Sequence, residues 1–328
     1  MNFLLNQFLA CRRTSDYYQL QILAECDALP SELADMLRYA DVLPEPSKEW
    51  ATTIRRQLHA QAPAIQPYRR QAIVRNVVLY TTRTRPEEPR DLLIAFCGLV
   101  DRLQLPIPVV LQHLDGSRYD VLLLRDPSQR IYLQGVPGYA PDLKQVADRI
   151  GRDLDLGRYR SIRSFGTSGG GWAAFTVGAM LGADRAISMS GKPPSATFRL
   201  AKVWEARGYS LDEQEADFAV FERLFNAIPD RSTRLLAFYG ADFDADREGA
   251  EAFERMVGAT GIGFRGVATH NLMFEILKAP ALATFLDRYL TGDLGQVVPP
   301  AGQRMLDMES LGQPPDAAPE ASRSVSAR

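Results

Sequence analysis

The stretch Arg163–Phe175, RSFGTSGGGWAAF, sets Ser168 between glycines just ahead of a run with helical character. Within it, Gly166-Thr167-Ser168-Gly169-Gly170 matches Gly-x-Ser-x-Gly. The five-residue match is cheap alone, so its context decides. Upstream, YRSIRSFG reads as a strand; downstream, GWAAFTVGAML reads as a helix whose Ala173, Ala174 and Gly178 permit close approach to a sheet. Strand, tight turn and helix are the setting in which this motif presents a reactive serine. Glycines two before and two after the serine remove the Cβ atoms that would collide when the turn forces it into a strained backbone. The following helix brings a positive dipole end, and the Gly169 N–H is available to a developing oxyanion. A phosphate-cradling loop is disfavoured, because no lysine follows the glycines in Walker fashion and the spacing is not GxGxxG. A glycine-rich connector without chemistry is the competing reading.

Working outward, short apolar runs alternate with amphipathic segments: DLLIAFCG, YDVLLLRD, YRSIRSFG, DRAISMSG, RLLAFYG and IGFRGVATH are separated by stretches such as PDLKQVADRIGRDL and REGAEAFERMV. Repeated βα units of this kind predict an α/β fold with a mostly parallel central sheet and helices on both faces. Residues 71–294 are assigned to this domain, with a helical insertion at about 191–228 that carries no strand signal and could overhang the strand ends. Residues 1–70 read as a helical N-terminal extension: YYQLQILAECDAL and SELADMLRYADVL space apolar residues three and four apart, and Pro44 and Pro46 end the second run. No second copy at fixed period supports a repeat array. The chain closes with a helix near NLMFEILKAPALATFLDRYL and a Pro-, Ala- and Ser-rich tail, 295–328, expected to be disordered.

Composition narrows the function classes. The 328 residues are 46% hydrophobic and 24% charged with a formal net charge of -2, as in an ordinary globular protein with no polyanionic partner. Nucleic acid is therefore not expected as a ligand. Three cysteines, Cys11, Cys26 and Cys97, form neither a disulfide framework nor a CxxC metal site, which fits a reducing cytoplasm. The opening MNFLLNQFLAC lacks the basic start and unbroken apolar core of an export signal. No apolar run approaches the ~20 residues that span a bilayer. No cofactor and no metal are expected.

A serine hydroxyl needs a base within hydrogen-bond reach. Of the three histidines, His59 sits in the polar helical N-terminus and His113 precedes the strand YDVLLLRD, where packing or capping explains it. His270 follows the last strand candidate and precedes the final helix, where a base would overhang the carboxyl ends of parallel strands. A carboxylate to orient the imidazole is sought on the loop after RLLAFYG, where ADFDADREGAEAF offers Asp242, Asp244 and Asp246. Spacing does not choose among them, and Asp246 could equally cap the following helix.

The chain order Ser168, Asp, His270, each after its own strand, together with Gly-x-Ser-x-Gly, resembles the α/β-hydrolase superfamily. The resemblance covers about Val74 to Leu290. Within it, IAFCGLV, YDVLLLRDPSQRIYLQG, FGTSGGGWAAF and DREGAEAF are similar to a bacterial branch associated with polysaccharide or surface-glycan gene sets. The resemblance implies Asp246, in its D-x-x-x-A context, as the acid ahead of Asp242. It also implies a second oxyanion N–H from the turn FCGLV, supplied by Cys97, Gly98 or Leu99. Two features depart from the pattern: Arg160 and Arg163 lie in the strand leading to the elbow, and the oxyanion turn lacks the HGGG run of many lipases. The expected activity is serine-dependent hydrolysis or transfer of an acyl group from a small-molecule or glycan ester or thioester. A non-catalytic hydrolase-fold module that binds a glycan or protein is the alternative.

Overall fold

The alternating apolar runs become a nine-stranded sheet in the computed structural model, which describes residues 3–59, 64–85, 88–196, 204–206, 208–229, 232–293, 298 and 304–312. The strands are β1 (Arg69–Val74), β2 (Val77–Thr81), β3 (Arg90–Phe96), β4 (Tyr119–Leu124), β5 (Tyr159–Thr167), β6 (Arg185–Met189), β7 (Arg234–Gly240), β8 (Thr260–Phe264) and β9 (Met305–Leu306). Their spatial order is β1-β2-β4-β3-β5-β6-β7-β8-β9. β2 pairs antiparallel with β1 and with β4, and every other neighbouring pair is parallel. Strands with helices on both sides must be apolar on both faces, and every residue of β3 and β4 is buried.

The pleat sorts these side chains into two cores. Leu92, Ile94 and Phe96 of β3 face α6 (Leu143–Asp153), α7 (Gly171–Met180), α8 (Leu211–Asn226) and α9 (Asp244–Val257). Leu93, Ala95 and Cys97 face α5 (Ile107–His113), α10 (Leu272–Lys278) and α11 (Leu282–Thr291). The N-terminal helices α1 (Phe3–Ala10), α2 (Thr14–Asp27), α3 (Pro30–Leu37) and α4 (Glu45–His59) join that second core through Phe8, Ala24, Met36 and Leu58, all buried. Among the described residues, no helix is long and apolar enough to cross a membrane.

Three details differ from the sequence reading. RRQAIVRNVVLY, residues 69–80, straddles the boundary drawn at 70/71 and carries no strand in the sequence reading, yet it is the β1–β2 hairpin; β1 is largely exposed, so it lacks the apolar alternation that signals a strand. The closing helix divides into α10 and α11 around Pro280, which cannot donate a helical hydrogen bond. Within the tail assigned to disorder, Met305–Leu306 pairs with β8 and Leu311 is fully buried. This short strand supplies partners to a β8 edge that would otherwise present unpaired backbone groups. Residues 295–297, 299–303 and 313–328 of that tail lie outside the described residues.

The two arginines of β5 also find their reason here. Asp91 of β3, fully buried, is 2.8 Å from Arg118, 2.9 Å from Arg160 and 3.2 Å from Arg163. Burial pulls its carboxyl up, but hydrogen bonds from Arg160, Arg118 and Ser161 and the charge of Arg163 hold it below its ordinary value. A carboxyl so lowered contributes stability above its unfolded-state pKa and loses that contribution as pH falls through the folded value. Asp91→Ala is expected to cost about 3–5 kcal/mol, since it strands a buried guanidinium, and to weaken the loss of stability on acidification. Urea denaturation across pH checks this; a cost under about 1 kcal/mol would contradict it.

Candidate active site

Where β5 ends, a single 3-10 turn, Ser168–Gly170, leads into α7. Ser168 takes a φ of 51°, in the left-handed region that costs a non-glycine residue about 1–3 kcal/mol. The flanking glycines make this turn possible. A Cβ on Gly166 would lie 2.2 Å from the Gly170 carbonyl oxygen, and one on Gly170 would lie 2.4 Å from the Phe96 oxygen. Neither backbone atom can yield, so both positions exclude a side chain.

His270 lies between β8 and α10, and its Nε2 is 2.8 Å from Ser168 Oγ. Its Nδ1 is 2.8 Å and 3.0 Å from the two carboxylate oxygens of Asp246. Asp246 sits in the first turn of α9, fully buried. An ionised carboxylate only accepts hydrogen bonds, so Nδ1–H donates to Asp246 and the Nε2 lone pair is left to accept the Ser168 hydroxyl. The arrangement suits passage of the hydroxyl proton to the imidazole while Asp246 fixes the ring and offsets the resulting cation.

The other candidates are placed elsewhere. Asp242 is exposed, and its N–H donates to the Val267 carbonyl at 3.0 Å. Asp244 is exposed and pairs with Arg247 at 2.6 Å. His59 is exposed at the end of α4. His113 is buried 3.0 Å from the Gln57 carbonyl, and burial holds its imidazole below the usual value.

Of the three residues proposed for the second oxyanion N–H, two are already engaged. The Cys97 N–H donates to Leu124 at 3.0 Å and the Gly98 N–H to Arg102 at 2.9 Å. Leu99 is the remaining candidate from that turn, and it lines the same cleft as Ser168 and Gly169. The Gly169 N–H belongs to the first turn of the 3-10 segment, where amides lack intrahelical acceptors. Cys97 is no rival nucleophile: it is fully buried, and burial pushes its thiol up.

One positioning residue escaped the sequence reading. Gln104 donates from Nε2 to the His270 carbonyl at 2.6 Å and accepts the Met273 N–H on Oε1 at 3.1 Å, bracing the loop that carries the imidazole. A lone glutamine in VDRLQLP carries no pattern that would single it out.

The cleft over Ser168 measures about 280 Å³, with Leu99, Ile131, Phe243 and Ala245 as apolar wall and Ser190 and Lys192 at its polar side. Ile131 is held by a strained loop, with φ of 57° at Gln129, 52° at Ile131 and 65° at Tyr132. The Asp126 carboxylate fixes that loop by accepting the N–H groups of Arg130 and Tyr132, each at 2.9 Å. Ala196, near the start of the insertion, also borders the cleft, and Trp204 further on donates to the Gln129 carbonyl at 2.9 Å. Residues 197–203 and 207 of the insertion lie outside the described residues. Among the described residues, no cluster of three His, Cys, Asp or Glu side chains is placed to hold a metal ion.

No protein-family model matches the chain, and no curated protein matches it. Solved structures do. The 2,6-dihydroxy-pseudo-oxynicotine hydrolase superposes with a TM-score of 0.51 at 16% identity, covering 88% of each chain. An alpha/beta hydrolase enzyme from the metagenome of sediments of the lagoon of Mar Chica, Morocco, gives 0.40 at 14% identity, over 68% of this chain and 95% of that one. The capsule O-acetyltransferase of Neisseria meningitidis serogroup A gives 0.42 at 13% identity, over 66% of this chain and 96% of that one. The chain has the α/β-hydrolase fold.

The strain at Ser168 is testable apart from any chemistry. Ser168→Ala and Ser168→Gly both delete the hydroxyl, but only glycine relieves the left-handed backbone. Ser168→Gly is expected to be about 1 kcal/mol more stable than Ser168→Ala in urea denaturation. Equal stabilities would contradict the strained turn.

Proposed function

We propose that the protein is a serine-dependent acyl hydrolase or acyltransferase that works through an acyl-enzyme on Ser168. The observation that carries this reading is the continuous chain from Ser168 Oγ through the His270 ring to the buried Asp246 carboxylate, with contacts of 2.8 Å on both sides of the ring.

In this mechanism the Ser168 oxygen attacks an ester or thioester carbonyl as its proton passes to His270 Nε2. The carbonyl oxygen gains negative charge and is met by the N–H groups of Gly169 and Leu99. Donors of this kind contribute about 3 kcal/mol each to the transition state. His270 returns the proton to the leaving oxygen or sulfur, which departs and leaves the acyl group on Ser168. Water or an acceptor hydroxyl then gives its proton to Nε2 and attacks the acyl carbonyl, which frees Ser168.

A cleft of about 280 Å³ with an apolar wall suits a short acyl group better than a lipid chain. The proposed substrate is accordingly an acyl ester or thioester of a small molecule or a glycan. Hydrolysis and transfer share one acyl-enzyme and differ in whether water reaches it.

Two measurements test the reading. A fluorophosphonate probe is expected to label the intact protein and to leave Ser168→Ala unlabelled; equal labelling of both would refute the assignment. With p-nitrophenyl acetate as donor, Asp246→Asn is expected to lower kcat by on the order of 10³–10⁴, because the amide favours the wrong imidazole tautomer. Asp242→Asn is expected to leave kcat within about twofold, since surface changes away from the site have little effect. The reverse ranking would move the acid to Asp242.

A further inference from the structure

The C-terminal end of α2 reaches the rim of the sheet beside the candidate site. The Glu25 side chain, 12% exposed, pairs with the Arg102 guanidinium and accepts the Trp50 Nε1–H of α4 at 2.8 Å. Arg102 belongs to the turn after β3, and its own carbonyl accepts the Gly98 N–H at 2.9 Å and the Thr167 hydroxyl at 3.4 Å. Thr167 directly precedes Ser168, and Gly98 directly precedes Leu99. A second brace lies alongside: Arg125, at the end of β4, binds the Asp27 carboxylate at 2.7 Å and also the Cys26 carbonyl.

The turn that these contacts hold is strained. Asp101 has a φ of 55° and Gln104 a φ of 60°, both in the left-handed region. Such residues keep their conformation only where surrounding contacts over-determine it. This turn also carries Gln104, which holds the His270 loop, and Leu99, which lines the cleft. One short segment thus adjoins the nucleophile, the base and the oxyanion position. Its outer side rests on α2.

We infer that the N-terminal helices are a positioning element for acyl transfer, in which the Glu25–Arg102 pair fixes the turn 97–104 so that the Leu99 N–H meets the developing oxyanion. The inference rests on the reading of Ser168 as an acyl-transfer nucleophile. Neither Glu25 nor Arg102 touches the reacting atoms; both act through the Arg102 carbonyl and the backbone of the turn. A displacement of a fraction of an ångström at Leu99 weakens a contact made only in the transition state, so it lowers kcat and leaves KM alone.

The test uses the full chain with p-nitrophenyl acetate and a fluorophosphonate as probes. Glu25→Gln keeps an acceptor for Trp50 but removes the charge; Arg102→Met removes the guanidinium and keeps its length. Each is expected to lower kcat by roughly 10–100-fold with KM unchanged, and to slow phosphonylation by the same factor. The pH midpoint of kcat should stay at its wild-type position, since His270 and Asp246 are untouched. The swap Glu25→Arg with Arg102→Glu should recover part of the rate, and Arg102→Lys more than Arg102→Met. Glu25→Gln that keeps the wild-type urea midpoint and the wild-type kcat would overturn the inference, as would a loss expressed in KM or in a shifted pH profile. A wild type that resists the fluorophosphonate would instead refute the acyl-transfer reading, so the two failures are separable.

Discussion

The backbone of one residue organises this structure. Ser168 stands in the left-handed region because β5 must reverse into α7 within a single 3-10 turn, and only glycine fits at 166 and 170 beside the Gly170 and Phe96 carbonyls. That geometry lifts the hydroxyl off the sheet and places it 2.8 Å from an imidazole 102 residues further along the chain. Strain at one residue is sustained by the burial around it: α7 is almost wholly buried, with its own Trp172 and Phe175 packed against Phe253 of α9. Core packing over many side chains offsets a local cost of a few kcal/mol.

Two buried carboxylates illustrate how one chemical group serves different ends. Asp91 and Asp246 are both fully buried, on strand β3 and in the first turn of α9. Asp91 is ringed by arginines and ties β3 to β5, where it accounts for charges in a strand that ought to be apolar. Asp246 faces a single imidazole, through both oxygens, and that imidazole, His270, lines the cleft. Burial is common to both; what differs is the partner, guanidinium groups for one and an imidazole beside a serine hydroxyl for the other.

Much of this was legible in the sequence because the signals are local. Six apolar runs became six strands, since buried parallel strands need apolar side chains on both faces. The elbow was legible because its glycines answer a steric demand within five residues. His270 could be located from its position after a strand, while Asp246 was distinguished from Asp242 by family resemblance; in the structure only Asp246 is buried and reaches the ring. Features set by contacts between distant segments were not legible. That the Cys97 and Gly98 amides are already engaged depends on carbonyls of other segments, Leu124 and Arg102. Gln104, the Asp91 cluster and the α2 brace on Arg102 join residues tens of positions apart and leave no periodic trace. β9 is two residues long in a tail of disorder-like composition, and only the open edge of β8 gives it a place.

In the proposed mechanism Ser168 Oγ forms a covalent bond to the acyl group. Rapid quenching of the wild-type protein with p-nitrophenyl acetate, followed by proteolysis and mass spectrometry of the peptides, reads this directly. The expected result is an acetyl group on the peptide that contains Ser168, present at early times and lost as turnover proceeds. Turnover of the donor with that peptide unmodified throughout, or with the acetyl group on a cysteine or lysine instead, would contradict it.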